Sequence, residues 1–356
     1  MVAVSLKKKK DYILQEDLDY IANSFPDINK LKNSTILVTG ATGLVGSYAV
    51  KALAAINRIH NANMKILALV RNPEKAKTVF SKLLERGDIS LVIGDVLQKI
   101  QTEYKIDYII HCASVTNSKE MVTKPVETIC VAVDGTRNIL ELAKENDVKS
   151  VVYISSMEVY GSPDASLPYV SENNYGYVDV LNVRSCYPEG KRMCECLCAS
   201  YAHEYNLPIK IARLAQTFGA GVSKNETRVF AQFARSLINE EDIILHTKGE
   251  STGNYCYTRD CILGILYILI RGENGAAYNI TNENTNMTIA EMAQMVAEKS
   301  GKISVVFDIP KDALQFGYAP SVKMKLSSEK LRSLGWKSDI DLSEMYERMI
   351  KSWKNT

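Results

Sequence analysis

The chain has 356 residues, of which 46% are hydrophobic, enough for one large domain with an appendage or for two domains. Its 43 basic and 41 acidic side chains leave a net charge of +2, which gives no electrostatic reason to expect nucleic acid as a partner. The most apolar stretch, residues 261–270, is too short to span a bilayer, so we predict a buried helix there and no membrane partner.

The ends and the cysteines indicate where the protein works. A basic run at residues 7–10 is followed by Asp11 and not by an apolar core, which predicts a solvated tail and no secretory signal. The cysteines lie inside apparent strands and helices, without the loop spacing of a disulfide framework. Cys194, Cys196 and Cys198 alternate along a predicted helix and cannot share one face, so we expect no metal site. These observations together favour a cytoplasmic protein whose cysteines are reduced.

Residues 1–33 form a leader, in which residues 12–22 have helical spacing. Strand and helix signals then alternate from residue 34 onward, which predicts a doubly wound parallel sheet of the Rossmann type. The predicted strands are residues 35–39, 65–70, 89–93, 107–113, 151–155 and 209–214, and the predicted helices are residues 45–56, 73–84, 124–145 and 187–205.

The pattern is less regular beyond residue 219 and ends in a predicted helix at residues 342–353. We expect residues 34–219 to form the domain that contains this sheet and carries the ligand-binding and catalytic residues described next. Residues 220–356 should then form mainly a smaller, C-terminal substrate-binding lobe. In such folds the ligand lies at the carboxyl edge of the sheet, between the two parts.

A glycine-rich turn follows the first predicted strand and opens a helix. Gly40, Gly43 and Gly46 permit a tight turn and let a pyrophosphate approach the helix N-terminus, which predicts dinucleotide binding over a merely structural turn. After the second strand, Val70 and Arg71 stand where an acid would bind the ribose of NAD, and an arginine there can pair with the 2′-phosphate of NADP. We therefore predict NAD(P), with a preference for NADP. The predicted cofactor contacts are Gly40, Thr42, Gly43, Leu44, Val45, Gly46, Arg71, Asp95, Val96, Cys112, Ala113, Ser114, Tyr187 and Lys191.

A phenol and an ammonium are predicted to meet on one helix. Tyr187 and Lys191 are one helical turn apart, and Ser156 ends the strand before them. A nearby ammonium and the positive charge of an oxidised nicotinamide should lower the pKa of the Tyr187 phenol, making it a usable base. The alternative is a buried tyrosine beside a snorkelling lysine.

Several further motifs accompany these residues. They are TGATGLVG at residues 39–46, HCAS at 111–114, SMEVYG at 156–161, YPEGK at 187–191, RLAQTFG at 213–219 and LGW at 334–336. With this set the chain resembles the extended short-chain dehydrogenase/reductase family over residues 34–336. Within that family it resembles the nucleotide-sugar epimerases, dehydratases and decarboxylases, and by eye most of all the UDP-glucuronate decarboxylases.

The resemblance implies an enzyme that acts on a nucleotide sugar through a transient 4-keto intermediate, with recycled NAD(P). It implies that Tyr187 takes the proton of the C4 hydroxyl, that Ser156 positions that hydroxyl, that Glu158 helps the second step, and that Lys191 holds the ribose. It also implies a homodimer whose interface contains helices 124–145 and 187–205. The implied substrate contacts are Arg184, Gln216, Arg228 and Tyr255, and Arg259 is a further arginine able to clamp a diphosphate.

Departures from the family pattern concern the substrate pocket. Met157 replaces the acidic proton donor of a 4,6-dehydratase, Gly253 replaces a substrate-binding arginine of a decarboxylase, and Gln216 and Ala132 each replace an asparagine. Two other functions remain open, an NADPH-dependent reductase of a keto sugar and a non-catalytic binding protein. The intact Ser156 and Tyr187 argue against the second. The nucleotide base, the sugar and the outcome of the reaction stay undecided.

Overall fold

The computed structural model describes residues 11–310 and 322–356, so the basic run at residues 7–10 lies outside the described residues. The helices are α1 (Tyr12–Ser24), α2 (Ile28–Leu31), α3 (Leu44–His60), α4 (Pro73–Phe80), α5 (Ser118–Thr123), α6 (Pro125–Asn146), α7 (Cys186–Tyr205), α8 (Val229–Asn239), α9 (Thr258–Arg271), α10 (Ile289–Ser300), α11 (Glu329–Arg332) and α12 (Leu342–Asn355), with short 3₁₀ helices at Ser81–Glu85, Met157–Tyr160 and Val183–Ser185. The strands are β1 (Thr35–Thr39), β2 (Lys65–Val70), β3 (Ile89–Ile93), β4 (Tyr108–His111), β5 (Ser150–Ser156), β6 (Ile209–Leu214), β7 (Gln216–Phe218), β8 (Ile243–Leu245), β9 (Thr252–Tyr257), β10 (Ala277–Ile280), β11 (Asn282–Thr288) and β12 (Val305–Phe307).

A seven-stranded sheet forms the centre of the molecule, in the order β10-β6-β5-β4-β1-β2-β3. Every pairing between neighbours in this sheet is parallel. The predicted doubly wound Rossmann sheet is therefore confirmed. The strand order reverses between β1 and β4, and in such sheets the ligand lies outside the carboxyl ends of the strands at that point.

The strands are mainly apolar because helices cover both faces of the sheet. Ile36 and Val38 of β1 pack into a cluster with α3 and α9, while Leu37 between them packs into a different cluster, with α6 and α7 on the other face of the sheet. This alternation is the period-two geometry of a strand. The predicted buried helix at residues 261–270 corresponds to most of α9, which lies on the sheet and not in a membrane.

The segment beyond residue 219 divides between the sheet and a separate apolar cluster. Helix α9 packs on the sheet, and β10 extends it beside β6. Helices α8, α10 and α12 and the three-stranded sheet β11-β9-β7 surround the separate cluster, called the second cluster here, and together form the second lobe. Leu331 of α11 packs instead into the sheet-side cluster. The sequence pattern had not indicated β10, because this short strand carries the buried polar residue Asn279.

Several predicted elements differ in their bounds, and the helix predicted at residues 45–56, for example, spans Leu44–His60. The helix predicted at residues 73–84 ends as α-helix at Phe80, because Ser81 adopts a positive φ of 44°, and a 3₁₀ turn follows. The strand predicted at residues 107–113 is shorter and spans Tyr108–His111. Asp107 before it uses its carboxylate to accept a hydrogen bond from the Thr35 amide at 2.8 Å.

Helix α1 is part of the folded body. Asp11 caps its N-terminus by accepting a hydrogen bond from the Leu14 amide at 3.1 Å. Its apolar side chains Leu18 and Ile21 belong to the sheet-side cluster, whereas Ile13 packs against the second cluster. The leader therefore lies where the two clusters meet.

Candidate active site

The glycine turn between β1 and α3 has the shape of a phosphate cradle. Gly40 has φ +58°, and a Cβ there would lie 2.8 Å from the Ala113 amide nitrogen. A Cβ on Gly46 would lie 2.4 Å from the Gly40 carbonyl oxygen, so both positions require glycine. Gly43 is the N-cap of α3 and no side chain caps the helix, so the first amides of α3 are not bonded by a capping side chain. Such a terminus favours an anion.

The ends of β2 and β3 form the next part of the predicted cofactor site. The exposed guanidinium of Arg71 lies 3.7 Å from the Asp95 carboxylate. Asp95 also accepts a hydrogen bond from the Leu97 amide at 3.0 Å, which fixes the turn after β3. Val96 beside it is buried against Gly135 of α6, where a Cβ would lie 2.9 Å from a Val96 methyl group.

The end of β4 approaches the glycine turn closely. The Thr39 hydroxyl accepts a hydrogen bond from the Ala113 amide at 3.1 Å and lies 2.7 Å from Nδ1 of His111. Burial, and then the charge of Lys191, lower the pKa of His111 to about 3, so this imidazole is neutral at physiological pH. Nε2 of His111 lies 3.2 Å from the Thr136 hydroxyl. His111 therefore stays neutral behind the glycine turn, held by Thr39 and Thr136. Cys112 and Ser114 flank Ala113 just after β4.

Tyr187 and Lys191 lie in the first part of α7, beside the end of β5. Lys191 is buried, and its Nζ donates a hydrogen bond to the Ile154 carbonyl at 2.7 Å. The same Nζ lies 5.8 Å from the centre of the Tyr187 ring and 4.8 Å from that of Tyr153. Ser156 ends β5 and accepts a hydrogen bond from the Glu158 amide at 3.2 Å. The arrangement brings a hydroxyl, a phenol and an ammonium to one place.

The pKa of Tyr187 differs from the sequence-based expectation. In the protein alone, burial raises the pKa of this phenol, and the carboxylate of Glu158 adds to the rise. Hydrogen bonding with Ser156 and the charges of Arg184 and Arg228 act in the opposite direction but are weaker. The expected lowering by Lys191 is therefore not found, because desolvation outweighs the neighbouring charges.

Glu158 and Arg184 form an ion pair at the site. Nη2 of Arg184 donates to Oε1 of Glu158 at 3.0 Å, and both side chains are about one-third exposed. The Arg184 guanidinium lies 5.6 Å from the centre of the Tyr187 ring. Its Nη1 is buried and has no hydrogen-bond partner in the described part of the chain. A buried donor of this kind costs free energy unless a ligand accepts its hydrogen bond.

The other predicted substrate contacts lie on the second lobe or next to it. Arg228 precedes α8 and pairs with Glu226 at 2.8 Å, and its charge acts on the pKa of Tyr187. Gln216 and Tyr255 are register partners on β7 and β9. Tyr255 is buried, which raises its pKa to about 12, and its ring packs edge-on against Phe218. The ring of Tyr255 therefore packs inside the second lobe, and its contact with a substrate stays a prediction.

Arg259 is not part of this site. Its guanidinium stacks over the ring of Tyr20 in α1, 3.9 Å from the ring centre, and pairs with Asp260. The possible role of Arg259 as a diphosphate clamp is thus replaced by a packing contact between α9 and α1.

A buried network under the site was not predicted from the sequence. Glu195 of α7 pairs with Arg213 of β6 at 2.6 Å and accepts a hydrogen bond from the Ser155 hydroxyl at 2.6 Å. Arg213 also donates to the Tyr160 hydroxyl at 3.0 Å. The network joins α7 to the ends of β5 and β6, so it fixes the helix that carries Tyr187. The sequence signal was a pair of charged residues, Lys210 and Arg213, inside an otherwise apolar strand.

Comparison with protein families places this site in a known context. The model of the NAD dependent epimerase/dehydratase family matches residues 36–281, more than half of the chain. The chain belongs to this family.

Similar family proteins include UDP-glucuronic acid decarboxylase 6 of Arabidopsis thaliana, 30% identical over 314 residues that cover 88% of this chain and 86% of the relative. UDP-glucuronic acid decarboxylase 1 of Xenopus tropicalis is 25% identical over 347 residues, covering 95% and 78%. Among solved structures, an epimerase of Methanothermobacter thermautotrophicus matches with a TM-score of 0.77 at 22% identity, covering 96% of each chain. UDP-glucuronic acid 4-epimerase of Bacillus cereus, in complex with UDP-glucuronic acid and NAD, matches with a TM-score of 0.73 at 21% identity, covering 90% and 99%.

These matches confirm the prediction of an NAD(P)-dependent enzyme from the nucleotide-sugar epimerase, dehydratase and decarboxylase group. The family description names NAD, and the preference for NADP stays a prediction. The glycine turn fits the family's cofactor, because a Cβ at Gly40 or Gly46 would overlap backbone atoms while the N-terminus of α3 has no capping side chain. Within the described residues, no helix combines the length and apolarity needed to cross a membrane. Nor does any group of three or more metal-ligating side chains among them form a metal site.

The departures from the family pattern also have structural explanations. A Cβ built on Gly253 would meet no atom within 4 Å, so the space left by the absent arginine is open. Ala132 lies on the buried face of α6, and its carbonyl accepts a hydrogen bond from the Cys194 thiol at 3.1 Å. Met157 packs partly buried in a small cluster with Val159 and Leu326.

Proposed function

We propose that this protein oxidises the C4 hydroxyl of a nucleotide-activated sugar and continues through a 4-keto intermediate. The observation that carries this proposal is the meeting of Ser156, Tyr187 and Lys191 at the carboxyl edge of the sheet, with two arginines acting on the phenol. A sugar hydroxyl needs a proton acceptor, and a diphosphate needs cations. Both are present at one place.

Each catalytic side chain has a separate task. Ser156 hydrogen-bonds the reacting hydroxyl, and Tyr187 accepts its proton. Lys191, anchored on the Ile154 carbonyl, adds positive charge near the phenol and can reach the cofactor ribose. When bound, the family's nicotinamide cofactor supplies hydride acceptance, and its positive charge favours the tyrosinate that burial alone disfavours.

Arg184 and Glu158 are proposed to act on the substrate in the second step. Nη2 of Arg184 donates to Glu158, and its buried Nη1 is available to donate a hydrogen bond to a substrate oxygen. Glu158 is proposed to help this step, in which the 4-ketone has made the adjacent ring carbon acidic. Arg228, Gln216 and Tyr255 are proposed to hold the nucleotide diphosphate from the side of the second lobe.

The relatives suggest UDP-glucuronate as the first substrate to test. We expect incubation with UDP-glucuronate and NAD to give either its C4 epimer or a UDP-pentose with release of carbon dioxide, which NMR distinguishes. If UDP, GDP, CDP and dTDP sugars all leave the melting temperature unchanged and undergo no turnover, the proposal fails. Stoichiometric oxidation of NADPH would instead support the second candidate, a keto-sugar reductase, which Arg71 favours.

We also propose that Arg71 selects NADP over NAD, because no acid follows Val70 and the guanidinium is exposed beside the adenosine side of the site. Replacing Arg71 with Ala should weaken NADP binding by roughly tenfold, the effect of one charge-assisted hydrogen bond, and leave NAD binding nearly unchanged. Calorimetry with both cofactors measures this.

Asp95 decides how this result is interpreted, because its carboxylate lies near Arg71 and would repel a 2′-phosphate. Asp95→Asn should therefore strengthen NADP binding when Arg71 is left in place. A wild-type protein that already prefers NAD would contradict the assignment of Arg71.

The protein is further proposed to be a cytoplasmic homodimer. All eight cysteines are free, as expected in a reducing compartment. The outer faces of α6 and α7 expose Val126 at 71% and Met193 at 52%, which supports self-association through these helices. Met193→Glu should give a monomer in light scattering at micromolar concentration, whereas Ile244→Glu, on the exposed face of β8, should leave the dimer intact. A monomeric wild type would refute the proposal.

A further inference from the structure

A buried carboxylate joins the leader helix to three other elements. Asp17 of α1 is 0% exposed. Its Oδ2 accepts hydrogen bonds from the hydroxyls of Tyr257 at 2.6 Å and Tyr48 at 3.1 Å, and its Oδ1 accepts one from Nη2 of Arg348 at 2.7 Å. We call these four residues the Asp17 cluster. They belong to α1, α3, the end of β9 and α12, so one carboxylate connects the cofactor helix with the second lobe.

Burying a carboxylate costs free energy unless hydrogen bonds replace its lost hydration. Burial raises the pKa of Asp17, and the hydrogen bonds from Tyr257 and Arg348 oppose this rise. An isolated buried carboxylate would be costly, and here three donors compensate for lost water. None of the residues in the cluster takes part in the proposed chemistry at Tyr187.

The Asp17 cluster holds the backbone of the loop that follows β7. The Tyr257 hydroxyl accepts a hydrogen bond from the Ala220 amide at 3.5 Å, and the Thr258 hydroxyl donates to the Ala220 carbonyl at 3.1 Å. One turn beyond Arg348, Trp353 donates to the Val222 carbonyl at 2.8 Å. A Cβ on Gly219 would lie 2.2 Å from the Tyr257 ring, so the loop begins packed against that ring.

This loop leads directly to Arg228. Residues 219–228 run from the end of β7 to the N-cap of α8, where the Arg228 side chain pairs with Glu226. The charge of the Arg228 guanidinium opposes the rise that burial causes in the pKa of the Tyr187 phenol. Glu226 holds the Arg228 end of this loop, and the Asp17 cluster holds its beginning.

We infer that Asp17 is a positioning residue for nucleotide-sugar binding, acting through Tyr257 and the loop at residues 219–228 on Arg228. The inference rests on the proposed role of Arg228 in binding the sugar diphosphate. It gives the leader helix a task in substrate recognition, since the carboxylate that anchors the loop comes from α1.

The test uses UDP and NAD as separate probes in calorimetry on the full chain. Asp17→Asn should weaken UDP binding by roughly tenfold, the loss expected when one arginine–phosphate contact is misplaced, and change NAD binding less than twofold. Asp19→Asn is the matched control, because Asp19 lies on the same helix in an exposed pair with Arg58 and should leave both affinities unchanged.

A double-mutant cycle with Arg228→Ala identifies the route of the effect. If Asp17 acts through Arg228, Asp17→Asn will add no further loss in the Arg228→Ala background, whereas independent effects would multiply and overturn the inference. Unchanged UDP binding in Arg228→Ala alone would refute the proposed role of Arg228. A normal loss in Arg228→Ala combined with wild-type binding in Asp17→Asn would refute only the role of Asp17.

Stability is separated from positioning with two further variants. Tyr257→Phe keeps the ring against Gly219 and removes only the hydroxyl, so it replaces Asp17→Asn if that variant does not fold. Ile139→Ala lowers stability in the cluster on the opposite face of the sheet, away from the loop. Measured well below its melting temperature, Ile139→Ala should bind UDP like wild type. If it loses UDP affinity as Asp17→Asn does, the effect is general destabilisation and the inference is wrong.

Discussion

Tyr187→Phe should reduce turnover by about 10²–10⁴-fold, the usual contribution of a positioned acid–base group, while cofactor and sugar binding persist. The substitution keeps the ring and removes only the group that carries the proton. Burial raises the pKa of this phenol in the protein alone. The loss of turnover should therefore be largest in the complex with oxidised cofactor, whose positive charge favours the tyrosinate. Steady-state rates on the identified nucleotide sugar, together with calorimetry for both ligands, measure the effect.

Tyr153→Phe is the matched control for this experiment. The Tyr153 ring also lies near Lys191, with Nζ 4.8 Å from its centre, and its buried hydroxyl has no hydrogen-bond partner among the described residues. Removing this hydroxyl should leave turnover within a few-fold of wild type. Equal losses in both variants, or a Tyr187→Phe enzyme that works within a few-fold of wild type, would remove Tyr187 from the mechanism.

Gly43→Val should abolish cofactor binding and leave the protein folded. A Cβ at Gly43 would meet only the Gly40 carbonyl oxygen, at 3.3 Å, and its φ of −79° is open to any residue. The added methyl groups would stand at the N-terminus of α3, where the pyrophosphate has to approach. Losing even one charge-assisted hydrogen bond weakens binding by roughly 10–100-fold.

Gly46→Ala separates the two roles of glycine in this turn. Its Cβ would lie 2.4 Å from the Gly40 carbonyl, so we expect a lower melting temperature, in contrast to Gly43→Val. Gly87→Ala, where the Cβ would meet nothing within 4 Å, should change neither property. Wild-type cofactor affinity in Gly43→Val would show that the turn does not bind the diphosphate.

The sheet could be predicted from the sequence because its signals are local. Apolar runs such as Lys65–Val70 and the glycines after Thr35–Thr39 indicate strand, turn and helix without knowledge of distant residues. Strand β10 could not be predicted in this way. It is short, carries a buried asparagine, and gains its place only by pairing with β6.

The site was predictable as a set of residues but not in its electrostatics. Helical spacing placed Tyr187 and Lys191 on one face, which needs only the period of the helix. The pKa of Tyr187 depends on how much water the fold removes, and that is a property of the whole packing arrangement. Arg259 illustrates the same limit, because nothing local indicated that Tyr20 would cover its guanidinium.

The Asp17 cluster also bears on the order in which the protein folds. Asp17 and Arg348 are separated by 331 positions in the chain, whereas β1, α3 and β2 make contacts between neighbouring segments. Contacts across long separations form slowly, because the intervening chain must first be ordered. We therefore expect β1, α3 and β2 to assemble first, and the closure of α1 against α12 to be a late step. The nucleotide-sugar side would then be the last part of the active site to form.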